Sequence, residues 1–392
     1  MRVQTVNERS RAIAFIICLG VVSLFADMTY EGSRSIIGPF LKGLGASAAV
    51  VGLIAGFGEM LAAGLRFFTG RLVDRTRAYW SMTIAGYLLT VIAVPAMALA
   101  GNWKVAALLI VLERMGKSLR GPARDVLLTG ATATVGHGWG FGLHTAMDQT
   151  GAVLGPLLMM AAVAQTGAFG PAFLRLGLPG IAVVIALLVA YTYDPARGAP
   201  TPPAPVQQQT LPRVFWIYVA AAGLLAFGFI DFALLAYHFQ QTAAVRPQTI
   251  PLLYAVAMGM NGLAALVLGR LFDRLGIAAL AAGIVVGAAA LPLALFGGQA
   301  GAIVGMIAWG TGLGAQDACL RPAIAKVVSM NKRGAAFGAF SGVFGVAWFL
   351  GSAIMGLLYA HSLLAVAAFG VVAQFAAAAL FLATSSTSSA RP

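Results

Sequence analysis

Twelve stretches of about twenty or more mostly apolar residues follow one another along this chain, separated by short polar joints. A bilayer core is spanned by roughly 20 apolar residues in a helix, so the repetition restricts the chain to a polytopic helical membrane protein. The expected spans are 12–41, 47–70, 78–100, 103–129, 137–164, 171–193, 213–242, 249–271, 277–297, 300–328, 334–360 and 362–384. Composition agrees: 60% of the residues are hydrophobic and 9% are charged, against roughly 25% charged in an ordinary soluble domain. Twelve acids and 25 bases cannot cover a soluble surface of this size, whereas a lipid-facing surface needs no such cover.

The net charge of +13 raises nucleic acid as a partner, but the bases stand singly or in small groups between apolar runs. No basic face with interleaved aromatics forms, so no nucleic-acid partner is expected. The bases sort instead by loop. With both ends inside, Arg71, Arg75, Arg77, Arg120, Arg124, Arg197, Arg213, Arg270, Arg274, Lys326, Lys332, Arg333 and the tail arginines 2, 9, 11 and 391 lie on the inner side. Only Lys42, Lys104, Arg175 and Arg246 lie outside. Positive loops are retained in the cytoplasm, so both termini are expected to be cytoplasmic in an inner (cytoplasmic) membrane. The N-terminal Arg2, Arg9 and Arg11 before an apolar run imitate a secretory signal, but the run continues past Asp27 and Glu31 to Leu41. Cys18 and Cys319 lack any paired spacing and read as small buried hydrophobes.

One joint is long. Residues 195–212, PARGAPTPPAPVQQQTLP, carry prolines that bar a regular helix and nothing apolar to bury. The expected organisation is therefore a six-helix half over 1–194, a cytoplasmic linker over 195–212 and a second six-helix half over 213–392. The halves repeat. GRLVDR (Gly70, Asp74, Arg75) follows the second span, and GRLFDR (Gly269, Asp273, Arg274) follows the eighth, 199 residues later. Arg-Gly-Pro at 120–122 against Arg321-Pro322, and Phe141-Gly142 against Phe337-Gly338, repeat in the same order. A duplicated six-helix unit is the arrangement of rocking transporters.

These hexapeptides resemble the G-x-x-x-D-R-x-G-R-R loop of the major facilitator superfamily, and the resemblance runs over the whole chain. Arg77 stands where that family carries Gly, and Ala78 where it carries a base; the second copy keeps Gly276 and loses the bases. The resemblance implies a twelve-helix, all-α fold in two pseudo-symmetric halves and a cytoplasmic gating role for Gly70, Asp74, Arg75, Gly269, Asp273 and Arg274. The loop glycine is expected to let helices approach closely. In the fifth span, Gly142, Gly151, Gly155 and Pro156 are similar to the helix-five motif of the drug/proton antiporters, with Met159 and Met160 in place of the closing glycines. Arg114 is similarly placed to an arginine of the same branch. The resemblance implies export in exchange for protons.

Ionisable side chains within a bilayer cost roughly 2.5–3.5 kcal/mol each on insertion scales, so they read by default as functional. In the first span Asp27, Glu31 and Arg34 are spaced to share one helical face; one acid held ionised by Arg34 beside a second acid is a candidate proton carrier. Glu59 and Arg66 share a face in the second. In the fourth, Glu113 and Arg114 are expected in the substrate cavity, while Arg120 and Arg124 are expected to snorkel to the cytoplasmic surface. His144 and Asp148 are one turn apart in the fifth span, Asp231 takes in the second half the place of Asp27 in the first, and His238 lies two turns beyond it. Asp317 and Arg321 read as an intrahelical pair. Phe25, Tyr30, Phe227 and Tyr237 are candidates to line an apolar pocket.

No enzyme motif is present: position 111 is Val where a phosphate loop needs Gly, and no HExxH or GxSxG occurs. No enzymatic activity, cofactor or resident metal is expected. The expected function is proton-coupled export of a small, lipophilic organic compound by a monomer in the bilayer. A divalent-metal exporter using Asp27, Glu31, His144, Asp148, Asp231 and His238 is the first alternative, and a non-transporting sensor or lipid-handling protein the second.

Overall fold

The structure is a computed structural model that describes residues 2–132, 135–194, 211–328 and 333–388; the side chains of residues 2–8, 67, 74, 137, 333–335 and 385–388 are outside the described set. The residues 195–210 of the expected linker and the side chain of Asp74 therefore lie outside the described residues.

Among the described residues the regular structure is helical, and it falls on the twelve expected spans. The helices are α1 (Arg2–Gly43), α2 (Ala48–Thr76), α3 (Tyr79–Ala96), α4 (Trp103–Thr132), α5 (His137–Thr166) and α6 (Phe169–Tyr193). They continue as α7 (Arg213–Thr242), α8 (Ile250–Leu275), α9 (Ile277–Phe296), α10 (Gly298–Val327), α11 (Arg333–Tyr359) and α12 (Leu363–Ser388). Among the described residues ten helices are long and apolar enough to cross a membrane; α4 and α10 are outside that set. Large apolar side chains stand outward, with Ile92 65%, Leu178 62% and Val372 67% exposed. Such a surface suits lipid contact and not water.

The described residues pack into two compact units. One comprises Met1–Ser35 with Leu65–Ala204; the other comprises Ile36–Gly64 with Pro205–Pro392. In the first, Phe15, Leu19, Val22 and Ala26 of α1 bury against Tyr87 of α3, Leu127 and Leu128 of α4, and Val183 and Leu187 of α6. In the second, Phe215, Tyr218 and Leu225 of α7 pack with Phe272 of α8, Leu280 and Ile284 of α9, Leu320 of α10 and Phe381 of α12. Small residues set how near the backbones come, because helices in lipid gain by close contact and not by escape from water. Gly86 of α3 and Gly116 of α4 face each other, so a methyl added at either would sit 2.6–2.7 Å from the other's carbonyl oxygen. The end of α1 and most of α2 join the second unit the same way: Gly38 abuts the Ala233 carbonyl of α7, and Gly56 lies against Phe349 and Ser352 of α11.

Two features depart from the sequence expectation. The seventh span is not one helix. It runs helical over Arg213–Gly228, opens at 229–231, and resumes over Phe232–Thr242. Asp231 starts the second segment by accepting the Ala233 amide at 2.8 Å, as an N-cap acid does. Two of the carbonyls released at the break are taken up by side chains: Trp309 Nε1 donates to Ile230 O at 2.9 Å and Gln374 Nε2 to Gly228 O at 3.1 Å. Irregular backbone inside a membrane protein persists only where such partners exist.

The second departure concerns the loop glycines. A methyl on Gly70 would meet Pro122 only at 4.0 Å, and one on Gly269 would meet Ala318 at 3.7 Å. Neither contact demands glycine. The demand lies further on: Arg77 has φ 56° and Gly276 has φ 58°. Their amides close the same i→i−4 bond, Arg77 N–H to Val73 O at 2.8 Å and Gly276 N–H to Phe272 O at 2.9 Å. Both copies end their helix on a residue of positive φ, and the first copy does so with an arginine.

Candidate functional site

The first unit gathers most of the predicted ionisable residues. α1 and α5 are held together by glycine: a methyl on Gly151 would strike the Leu24 carbonyl, and one on Gly155 the Met28 carbonyl and the Gly32 amide. Two glycines of the helix-five motif thus bring α5 against the turn of α1 that carries Asp27. Gly142 is exposed with nothing within 4 Å of its added methyl, so it takes no part in that contact.

Ser23, one turn before Asp27, is the hub. Its hydroxyl meets His144 Nε2 at 2.8 Å and the Tyr87 hydroxyl at 3.5 Å, and it accepts from Arg124 Nη1 at 3.2 Å. His144 Nδ1 lies 3.4 Å from Asp148 Oδ2. His144 and Asp148 are therefore not an isolated pair on α5; their helix is tied to α1 through Ser23. Asp27 lies 3.9 Å from Arg120 Nη2, and its electrostatic neighbours are Asp148 first, then Lys117, Arg120 and Glu31.

Arg120 corrects the snorkelling expectation. It is 3% exposed, turned inward toward Asp27, with its guanidinium 4.5 Å from the centre of the Tyr87 ring. Arg124 also turns in, toward Ser23, while bonding Asp125 at 2.9 Å. The physical reason is that both have partners inside, and a guanidinium paired and stacked on an aromatic face needs no water.

A turn further along α1, Tyr30 is a platform for three cations: Lys117 Nζ at 3.5 Å, Arg114 Cζ at 4.7 Å and Arg34 Cζ at 5.7 Å from its ring centre. Arg34 pairs with Glu31 at 3.8 Å and Arg114 with Glu113 at 3.2 Å. Glu113 and Arg114 are both buried. Tyr30 thus belongs to a polar cluster. Phe25 lies instead on an apolar groove of about 320 Å³ with Cys18, Val21 and α6 residues such as Ile185.

The second unit holds Asp231 and His238. Asp231 is buried and spends one carboxylate oxygen on the α7 cap. His238 is buried, with Nδ1 2.9 Å from the Tyr359 hydroxyl and a further hydrogen bond to the Leu295 backbone. Tyr237 packs edge-on against Tyr359 at 5.6 Å and lies under Lys42 at 5.8 Å; Phe227 packs on Phe369 at 4.8 Å. Asp317 accepts Asn261 Nδ2 at 3.0 Å. Among the described residues no three His, Cys, Asp or Glu side chains are grouped to hold a metal ion. Arg75, Asp273 and Arg274, expected in loops, lie in the last turns of α2 and α8 and are exposed.

Ser23, Tyr87, Arg120 and Arg124 are the site residues that sequence reasoning missed. Ser23 carried one available signal, its position one turn before Asp27 on the same face.

The uncharacterized protein Rv2265 of Mycobacterium tuberculosis is 38% identical over 369 residues, covering 91% of this chain and 90% of its own. An uncharacterized MFS-type transporter of Methanocaldococcus jannaschii, MJ1317, is 24% identical over 372 residues, with 90% of each covered. The multidrug resistance protein MdtH of Proteus mirabilis is 32% identical over 119 residues, 30% of each chain. The crystal structure of the nucleoside transporter NupG shares the fold with a TM-score of 0.71 at 13% identity, covering 96% of this chain and all of that one. An auto-inhibited POT family peptide transporter shares it with a TM-score of 0.70 at 14% identity and 97% coverage of each. The family model of the major facilitator superfamily matches residues 19–352, and the chain belongs to that superfamily of membrane transporters.

Proposed function

We propose that this transporter exports a small organic compound in exchange for protons, with Asp27 as the proton site. The observation that carries the reading is the setting of Asp27. Its carboxylate stands between a base and another acid, 3.9 Å from Arg120 and in the field of Asp148. Arg120 favours the charged form and Asp148 opposes it. Opening the site to one side or the other changes the access of water to that balance, so the protonation of Asp27 follows the conformation. Glu31, Lys117, Arg124 and His144 complete the titratable or charged surroundings on α1, α4 and α5.

Export as the direction draws on the partial likeness to MdtH and on the resemblance of the helix-five motif, whose Gly151 and Gly155 seat α5 on α1. A small organic compound as the substrate draws on the same likeness. The transporter works as a monomer in the inner membrane, with both termini cytoplasmic and its two sequence halves alternating access.

The test uses inverted membrane vesicles carrying a pH gradient read by a quenched dye, challenged with a library of small organic compounds. A substrate dissipates the gradient through the wild-type chain and not through Asp27→Asn. Glu31→Gln, which breaks the Glu31–Arg34 pair and leaves Asp27 facing Arg120 and Asp148, retains the response. If Asp27→Asn keeps full pH-driven accumulation, the proton is carried elsewhere.

A further inference from the structure

Arg120 and Asp148 each present one polar atom that the described protein leaves unmatched. Arg120 is 3% exposed; Nη2 faces Asp27, the guanidinium covers Tyr87, and Nη1 is buried with no acceptor among the described residues. Asp148 Oδ2 lies against His144 and the carboxylate also interacts with Ser23 and Arg124, while Oδ1 is buried with no hydrogen-bond partner among the described residues. Asp27 interacts with both side chains. A buried guanidinium presents N–H groups in a fixed fork that suits a carboxylate, and a buried carboxylate oxygen suits an ammonium.

We propose that these two atoms are the opposite ends of a substrate subsite for a zwitterion, a compound bearing an ammonium and a carboxylate on an apolar body. The substrate carboxylate takes Arg120 Nη1, and its ammonium takes Asp148 Oδ1 beside Asp27. Either charge alone fits worse. An anion without an ammonium meets Asp27, Asp148 and Glu31; a cation without a carboxylate meets Lys117, Arg120 and Arg124. The assignment rests on the reading of Asp27 as the proton site, and it gives the exchange a cause. Ammonium and proton both neutralise the Asp27–Asp148 pair, so binding one opposes the other, as antiport requires.

Four compounds with one ring and four charge states test it on the purified full chain: phenylalanine, phenylalaninamide, N-acetylphenylalanine and N-acetylphenylalaninamide. Binding is read by thermal protection and titration. Phenylalanine is expected to bind at least tenfold more tightly than the singly charged and neutral forms. Arg120→Gln lowers it to the level of the amide, and Asp148→Asn to that of the N-acetyl compound. Arg120→Lys, which keeps the charge and loses the fork, falls between. Equal or stronger binding of any of the other three compounds, no binding of all four, or a preference unchanged in these variants overturns the assignment. The wild-type comparison stands whether or not the variants fold. If Asp27→Asn abolishes pH-driven flux and no charge preference is found, only the substrate class falls. If the preference holds and the flux survives Asp27→Asn, the proton site falls and the subsite remains.

Discussion

Adding one methyl group to Gly155 tests how the site is assembled. The added carbon meets the Met28 carbonyl oxygen, and it lies 2.9 Å from both Met28 Cα and Gly32 N. All three are backbone of α1, and no side chain can rotate away. An ordinary carbon contact needs about 3.5–4.0 Å, so α5 must withdraw from α1 by on the order of 1 Å. The same movement stretches the 2.8 Å bond between Ser23 and His144 beyond hydrogen-bond length. Overpacking of this kind costs about 1–3 kcal/mol, and the lost bond adds about 1 kcal/mol. Gly155→Ala is therefore expected to destabilise by roughly 2–4 kcal/mol, seen as a thermal midpoint lowered by several degrees in detergent, with pH-driven transport strongly reduced. Gly142→Ala is the control from the same motif. It meets nothing within 4 Å, and alanine is the better helix former by about 1 kcal/mol, so its midpoint is unchanged or higher. Equal midpoints for the two variants would refute the claim that motif glycines act by seating α5 on α1.

Arg77→Gly relieves a positive φ at the helix end and is expected to raise stability by about 1 kcal/mol in the same thermal assay, while Gly276→Arg lowers it. Trp309→Phe removes the donor to Ile230 O and leaves a buried carbonyl unsatisfied, at about 1–3 kcal/mol; combined with Gln374→Leu, the loss is expected to exceed either single change, and amide hydrogen exchange at 228–235 reports the loosened segment. Tyr359→Phe takes the partner from His238 Nδ1 and is expected to cost about 1 kcal/mol, with the affinity for transported compounds unchanged.

The apolar periodicity placed the helices well, because in lipid the length of an apolar run is itself the structural constraint. The α7 break was hidden by that same signal: Phe229 and Ile230 are as apolar as a helix would want, and only Asp231, read as a charge and not as a cap, marked the restart. The shared face of Asp27 and Glu31 was legible from spacing alone. The inward turn of Arg120 and Arg124 was not, since their spacing on α4 names a face but not the Tyr87 and Ser23 that wait there on α3 and α1. Similarly, the spacing of Gly142, Gly151 and Gly155 is one pattern in sequence, and only the neighbouring helix separates the two that are pressed against backbone from the one that is open.

The opened turn of α7 carries an implication for descent. Asp231 closes its restart, and Trp309 and Gln374 answer two of the carbonyls it frees. A relative whose seventh helix runs straight has no use for any of the three, and a relative that keeps the opening but drops one pays a buried unmet group. The three positions, far apart in sequence, are therefore expected to be inherited as a set or lost as a set among the descendants of this chain's ancestor.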